Sequence, residues 1–141
     1  MIKPKGLTIV ELLVVATIIS LLATLGITTY ASLGKQSRDA KRKGDLENVR
    51  AALEQYKNDN NYYPGLLTTL TPSKYLMTVP EDPRPGTNTY LYCPTPDLSG
   101  NVVGYDLCSG LESGGSVKTC CVALCGTSAQ CVYKLTPLGS E

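Results

Sequence analysis

The stretch Lys5–Ile27, KGLTIVELLVVATIISLLATLGI, decides how this chain is read. From Leu7 to Leu33 run 27 residues with a single charge, Glu11; 18 of them are apolar, and the others are Ser20, Gly26, Ser32 and five Thr. As a helix at ~1.5 Å per residue the run would be roughly 40 Å long, enough for a bilayer core of ~30 Å. Lys3 and Lys5 precede it, and Lys35, Arg38, Lys41, Arg42 and Lys43 follow it. A carboxylate inside such a segment is costly unless it has a partner. The residues alone leave two uses for Glu11 open. It is either a solvated acid at the helix start, where it suits the helix dipole, or a buried ionic group that sets the register of packed helices by meeting the α-amine of a neighbouring chain. A secretory signal cut after Thr29-Tyr30-Ala31 and an uncleaved membrane anchor are the other readings of the segment. The apolar run exceeds the ~7–15 residues of a signal core.

Beyond it, Lys35 to Asn58 is polar with a helical period: Leu46, Val49, Leu53 and Tyr56 form one apolar stripe. No Pro interrupts the chain between Gly6 and Tyr63, so one helix is expected from about Leu7 to Asn58, stopped by Pro64 and Gly65. From Tyr62 the composition changes. All the Cys and every Pro but Pro4 lie there. β-like runs at Thr89–Cys93, Val102–Cys108 and Cys131–Thr136 predict a small antiparallel sheet packed on the amphipathic half-helix. The fold class is α+β. The expected parts are a leader at 1–6, an apolar transmembrane or filament-core helix at 7–33, an amphipathic half-helix at 34–61 and a disulfide-rich β domain at 62–141.

Composition narrows the function. The 141 residues carry 13 Lys and Arg against 12 Asp and Glu, which argues against a nucleic-acid binder held by bulk charge. There is no His, Trp or Phe. Without His, Ser-His-Asp and Cys-His catalysis are excluded, and no other constellation supports an enzyme. Six Cys in so short a chain point to an oxidising compartment.

A short basic leader ending in Lys5-Gly6, an apolar helix directly after the Gly, and Glu11 as its lone acid resemble the N-terminus of type IV prepilins and of the pseudopilins of type II secretion. Further along, Asp59-Asn60-Asn61-Tyr62-Tyr63-Pro64, Pro80-Glu81-Asp82-Pro83 and Tyr105-Asp106-Leu107 resemble the major pseudopilin of type II secretion. The likeness covers roughly the first 110 residues, and the cysteine-rich remainder does not follow it. Three positions depart from the pattern. Leu7 stands where the family usually has Phe, Thr28 where it often has Pro, and Arg84-Pro85-Gly86 where it has a Trp-containing segment. Gly26, Thr28 and Thr29 offer another way to soften the helix there, since Gly and β-branched residues lower helix propensity.

The resemblance implies a type IV pilin fold and a structural role. A membrane prepilin peptidase would cut between Gly6 and Leu7 and methylate the new amine of Leu7. Glu11 would meet the Leu7 amine of another subunit in a helical homopolymer, built on an inner-membrane assembly platform. The subunit would wait in the cytoplasmic membrane with its C-terminal domain outside the cytoplasm, then join a periplasmic or extracellular filament. Protein secretion is the implied use, with no nucleic-acid partner. A major pilin of a type IV pilus serving adhesion, twitching or DNA uptake is the alternative, and a membrane-anchored module that never polymerises is another. The resemblance also implies calcium in the loop after Tyr105-Asp106. Calcium prefers several carboxylates, and that loop offers only Glu112 with Asp106 upstream, so no cofactor is expected.

Cys93, Cys108, Cys120, Cys121, Cys125 and Cys131 are expected to form disulfides, with Cys120 and Cys121 going to different partners; the sequence does not fix the pairing. Zinc is disfavoured by the lack of His and of any C-x2-C pair. The basic cluster Lys35 to Lys43 is read as a solvated helix face beside Asp39, Asp45 and Glu47, with subunit pairing as its functional use. Tyr62, Tyr63, Tyr75, Tyr90, Tyr92 and Tyr105 are assigned to the small core and the sheet faces.

Overall fold

A computed structural model describes residues 6–73, 75–121, 124–126 and 130–140, and for 25–29 and 31 the backbone alone. The leader residues 1–5, including Lys3 and Lys5, lie outside the described residues. The chain is α+β: helix α1 (Ile9–Asn60), a 3-10 turn at Leu67–Leu70, then strands β1 (Leu91–Pro96), β2 (Val102–Ser109), β3 (Tyr133–Thr136) and β4 (Gly139–Ser140). It divides into two units, Met1–Lys35 and Gln36–Glu141.

In the first unit the helix starts at Ile9 rather than Leu7 because Thr8 caps it. The Thr8 hydroxyl accepts the Glu11 N–H at 3.2 Å, while the Glu11 carboxylate accepts the Thr8 N–H and O–H at 2.8 and 2.9 Å. This reciprocal box satisfies donors that the first turn otherwise leaves orphaned. Further along, Thr17, Ser20 and Thr24 donate their hydroxyls back to the carbonyls of Val14, Ala16 and Ser20, each at 2.8 Å. Polar side chains thereby sit in an apolar helix without unmet hydrogen bonds. The large apolar side chains from Leu7 to Leu22 are all exposed, Ile9 by 83% and Leu21 by 65%. The backbone is helical through Gly26, Thr28 and Thr29, whose side chains are outside the description. Among the described residues no helix is long and apolar enough to cross a membrane.

In the second unit the expected stripe is the core. Leu46, Val49, Leu53 and Tyr56 are buried together with Tyr63, Leu70, Tyr105 and Leu107 of β2, and Leu135 of β3. The strands lie in the order β1-β2-β3-β4, each pair antiparallel. β1 begins at Leu91, two residues after the expected start, because the Thr89 N–H leaves the ladder for the Cys125 carbonyl at 2.6 Å. Pro94 and Pro96 are tolerated because β1 is an edge strand. β4, unforeseen in the sequence, folds back on β3 after Pro137-Leu138. Helix α1 ends at Asn60, and the next residue, Asn61, takes the left-handed conformation (φ 67°) common after a helix C-terminus.

With no Phe or Trp, this core is built from tyrosines, and buried phenols need acceptors. Tyr63 and Tyr105 both donate to Glu54, at 3.1 and 2.9 Å; Tyr90 donates to Asp45 at 2.8 Å and Tyr75 to Asp59 at 2.7 Å. Tyr92 donates to the Pro64 carbonyl. Acids of α1, Asp45 of the expected solvated face among them, thus receive the sheet and loop tyrosines. Burial raises the phenol pKa values of Tyr92, Tyr105 and Tyr90.

Candidate assembly site

Gly6, Leu7 and Glu11 lie together at the start of α1, all exposed. A Cβ built on Gly6 meets nothing within 4 Å. The chain's own packing therefore places no demand for glycine there. Glu11 is held locally, through the Thr8 box, and its carboxylate remains at an exposed helix start.

The second unit carries a charged cluster that the sequence reading did not assemble. Arg42 is fully buried and Asp39 is 4% exposed, so the basic stretch is not a uniformly solvated face. Arg42 sends Nε and Nη2 to the two oxygens of Asp82, at 2.7 and 3.0 Å, and Nη1 to Asp39 at 2.7 Å and Glu112 at 3.0 Å. Arg38 grips Glu112 through Nε and Nη2 at 2.7 and 2.6 Å, and Arg84 reaches it at 3.3 Å. Asp39 in turn accepts the backbone N–H groups of Glu112 and Ser113, at 2.9 and 2.8 Å, and the Ser113 hydroxyl at 2.6 Å. Three guanidinium groups face three carboxylates, and among the described residues no buried side-chain polar atom lacks a partner.

The signal for this cluster was in the helical period. Counting back from Leu46, the buried stripe continues through Arg42 and Asp39. Charged residues on the buried phase of a helix must find partners, and here those partners come from two separate loops. The electrostatics follow from the contacts. The hydrogen bonds from Arg38, and then from Arg42, hold the Glu112 carboxyl at about 2 against burial. Burial works against ionising Asp39, but the Ser113, Glu112 and Arg42 donors outweigh it and lower its pKa. The Asp82 bonds raise Arg42.

All six cysteines pair: Cys93 with Cys121, Cys108 with Cys120, and Cys125 with Cys131. The adjacent Cys120 and Cys121 do go to different partners, one on β2 and one on β1. Together they clip the segment after β2 to both strands.

The chain is 30% identical over 130 residues to type II secretion system core protein G of Pseudomonas aeruginosa, covering 81% of this chain and 89% of that protein. It belongs to the type II secretion system core protein G family. It is also 32% identical over 83 residues to the core protein G of Vibrio cholerae and 30% over 82 residues to that of Pectobacterium carotovorum, spanning 55% and 53% of those proteins. No family model matches the chain, and no solved structure matches it. In this chain the exposed apolar side chains and Glu11, the one charge from Leu7 to Leu33, coincide at the start of α1.

Proposed function

We propose that the chain is the precursor of a structural subunit of a type II secretion pseudopilus, without enzymatic activity. Family membership supports this, and the observation that carries it is the uncovered apolar face of Leu7–Leu22 with Glu11 as its one charge. So much exposed apolar surface on one helix demands a lipid or protein environment. Segment 7–33 spans the cytoplasmic membrane before assembly and lines the filament core after it. A prepilin peptidase cuts between Gly6 and Leu7 and methylates the Leu7 amine. Gly6 fits that reading, because nothing in the chain itself crowds the position; a passing enzyme would be what requires the bare backbone. The disulfide-bonded unit faces the oxidising side of the membrane, and subunits join at the membrane platform into a helical homopolymer.

The test is the intact mass of the protein expressed with its peptidase, beside Gly6→Val. The wild type should begin at Leu7 with one added methyl, and sheared preparations should show filaments by electron microscopy. Gly6→Val should retain the leader and stay in the membrane. A wild type that keeps Met1, or a Gly6→Val protein shortened normally, would refute the reading.

A further inference from the structure

The sequence resemblance implies calcium in the loop after Tyr105-Asp106, and the donor set here does not fit that ion. Calcium takes about six to eight oxygens at ~2.3–2.6 Å, several of them carboxylate. In this loop the only carboxylate is Glu112, and both its oxygens already accept guanidinium hydrogen bonds. Asp106 is paired with Lys134 at 3.1 Å. Both oxygens of Asp39 and of Asp82 are likewise engaged by N–H or O–H donors. Among the described residues no group of three His, Cys, Asp or Glu is arranged to hold a metal.

We infer that the Arg42 guanidinium does the calcium's work: it is a built-in cation that fixes the loop after β2 to α1 and makes the folded unit independent of divalent metal. The geometry gives each step. Asp82 and Asp39 hold Arg42 in place, and Arg42 with Arg38 holds Glu112. Asp39 then captures the backbone of Glu112 and Ser113, so the loop is tied by side chain and main chain at once. The cluster is electrically balanced without a metal. A divalent cation would have to displace guanidinium groups that cannot lose their charge. Cys108–Cys120 closes the far end of the same loop, so covalent and ionic ties share the task.

The experiment is hydrogen exchange by mass spectrometry on the full chain in detergent, reading the peptide that contains the Glu112 and Ser113 amides. Protection should be the same in excess chelator and in millimolar calcium. A chelator-induced loss of protection in the wild type would overturn the inference. In Arg42→Met the peptide should exchange at least ~10-fold faster, since removing one partner of a buried ionic group leaves the others uncompensated. Unchanged protection there would overturn it as well. Arg38→Met, at the half-exposed edge of the cluster, is the gentler second variant should Arg42→Met unfold. It should loosen the same peptide by a smaller factor while the Cys125–Cys131 region keeps wild-type exchange, and equal protection of both regions would count against the inference.

Discussion

Arg42 and Asp82, 40 residues apart, meet through two parallel hydrogen bonds, with neither side chain more than 1% exposed. Two flat groups, one guanidinium and one carboxylate, are matched edge to edge, the geometry that makes Arg irreplaceable by Lys at such sites. The Asp82 Oδ1 also accepts the Arg84 N–H at 2.8 Å, so the pair fixes the backbone of its own loop.

From this pairing follows an asymmetry between single and combined replacement. Asp82→Ala leaves a buried guanidinium short of its main partner and should cost about 3–5 kcal/mol. Arg42→Met combined with Asp82→Leu and Asp39→Asn removes the buried charges together and should cost less than the Asp82 change alone. Thermal melting of the full chain in detergent, followed by near-ultraviolet circular dichroism of the tyrosines, ranks the variants. A triple variant weaker than Asp82→Ala would contradict the expected order.

Acid should loosen the loop after β2. Glu112 and Asp39 titrate below their ordinary values of 4.5 and 3.8. A carboxyl with a depressed folded pKa stabilises the folded state fully above its unfolded pKa, and the contribution disappears as pH falls through the folded one. The groups facing them are Arg38 and Arg42 on α1, Asp82 and Arg84 on the preceding loop, and Ser113. The three arginines stay charged across the range, so protonation leaves net positive charge behind. Exchange of the Glu112–Ser113 amides should therefore accelerate, beyond its intrinsic pH dependence, from about pH 4.5 down towards 2, and Glu112→Gln should flatten that profile.

The disulfides make a separate expectation. With all six cysteines paired, alkylation of the native, unreduced protein should add no mass. Substituting Cys120 should leave Cys108 on β2 labelled while Cys93–Cys121 stays closed, which peptide mapping would show. Labelling of Cys93 in that variant would point to exchange between the adjacent cysteines rather than to two independent clips.

How much of this was legible beforehand depends on which force sets each feature. Leu46, Val49, Leu53 and Tyr56 declared themselves because burial of apolar groups follows the helical period directly. The strands around Tyr105 and Leu135 were placed within two residues by their β-branched and aromatic content. Arg42 and Asp39 lay on that same period, yet charge conventionally marks a solvated face, and only the folded chain brings Asp82 and Glu112 to them. Sequence spacing holds no information about a partner 70 residues away, as Glu112 is from Arg42. Likewise, the cysteine pairing is set by how β1 and β2 align, with Cys93 opposite Asp106 and Cys108 opposite Leu91. Spacing alone gives only that two adjacent cysteines go separate ways. The capping role of Thr8 is written in Thr-x-x-Glu, the pattern of a capping box, although a lone acid in an apolar run is the stronger mark.

That box sharpens the test of Glu11. In the single chain the carboxylate has a local occupation, accepting the Thr8 N–H and O–H. If capping were its whole purpose, a glutamine would serve, since Gln fills the same place in a capping box. If Glu11 must also meet the positive amine of a neighbouring Leu7, only the charge will do, because a neutral amide leaves that amine buried without a counter-ion. Glu11→Gln and Glu11→Ala should then behave alike in assembly and differently in the helix. Both should be inserted, cleaved and disulfide-bonded, and both should give few or no filaments. Only Glu11→Ala should fray the helix start, because it removes the acceptor of the Thr8 N–H, visible as faster amide exchange at Ile9 to Leu12. The measurements are electron microscopy of sheared filaments, a blot of the membrane fraction and hydrogen exchange on the detergent-held subunit. Wild-type filament number and length in Glu11→Gln would reduce Glu11 to a helix cap and leave register to the apolar side chains alone.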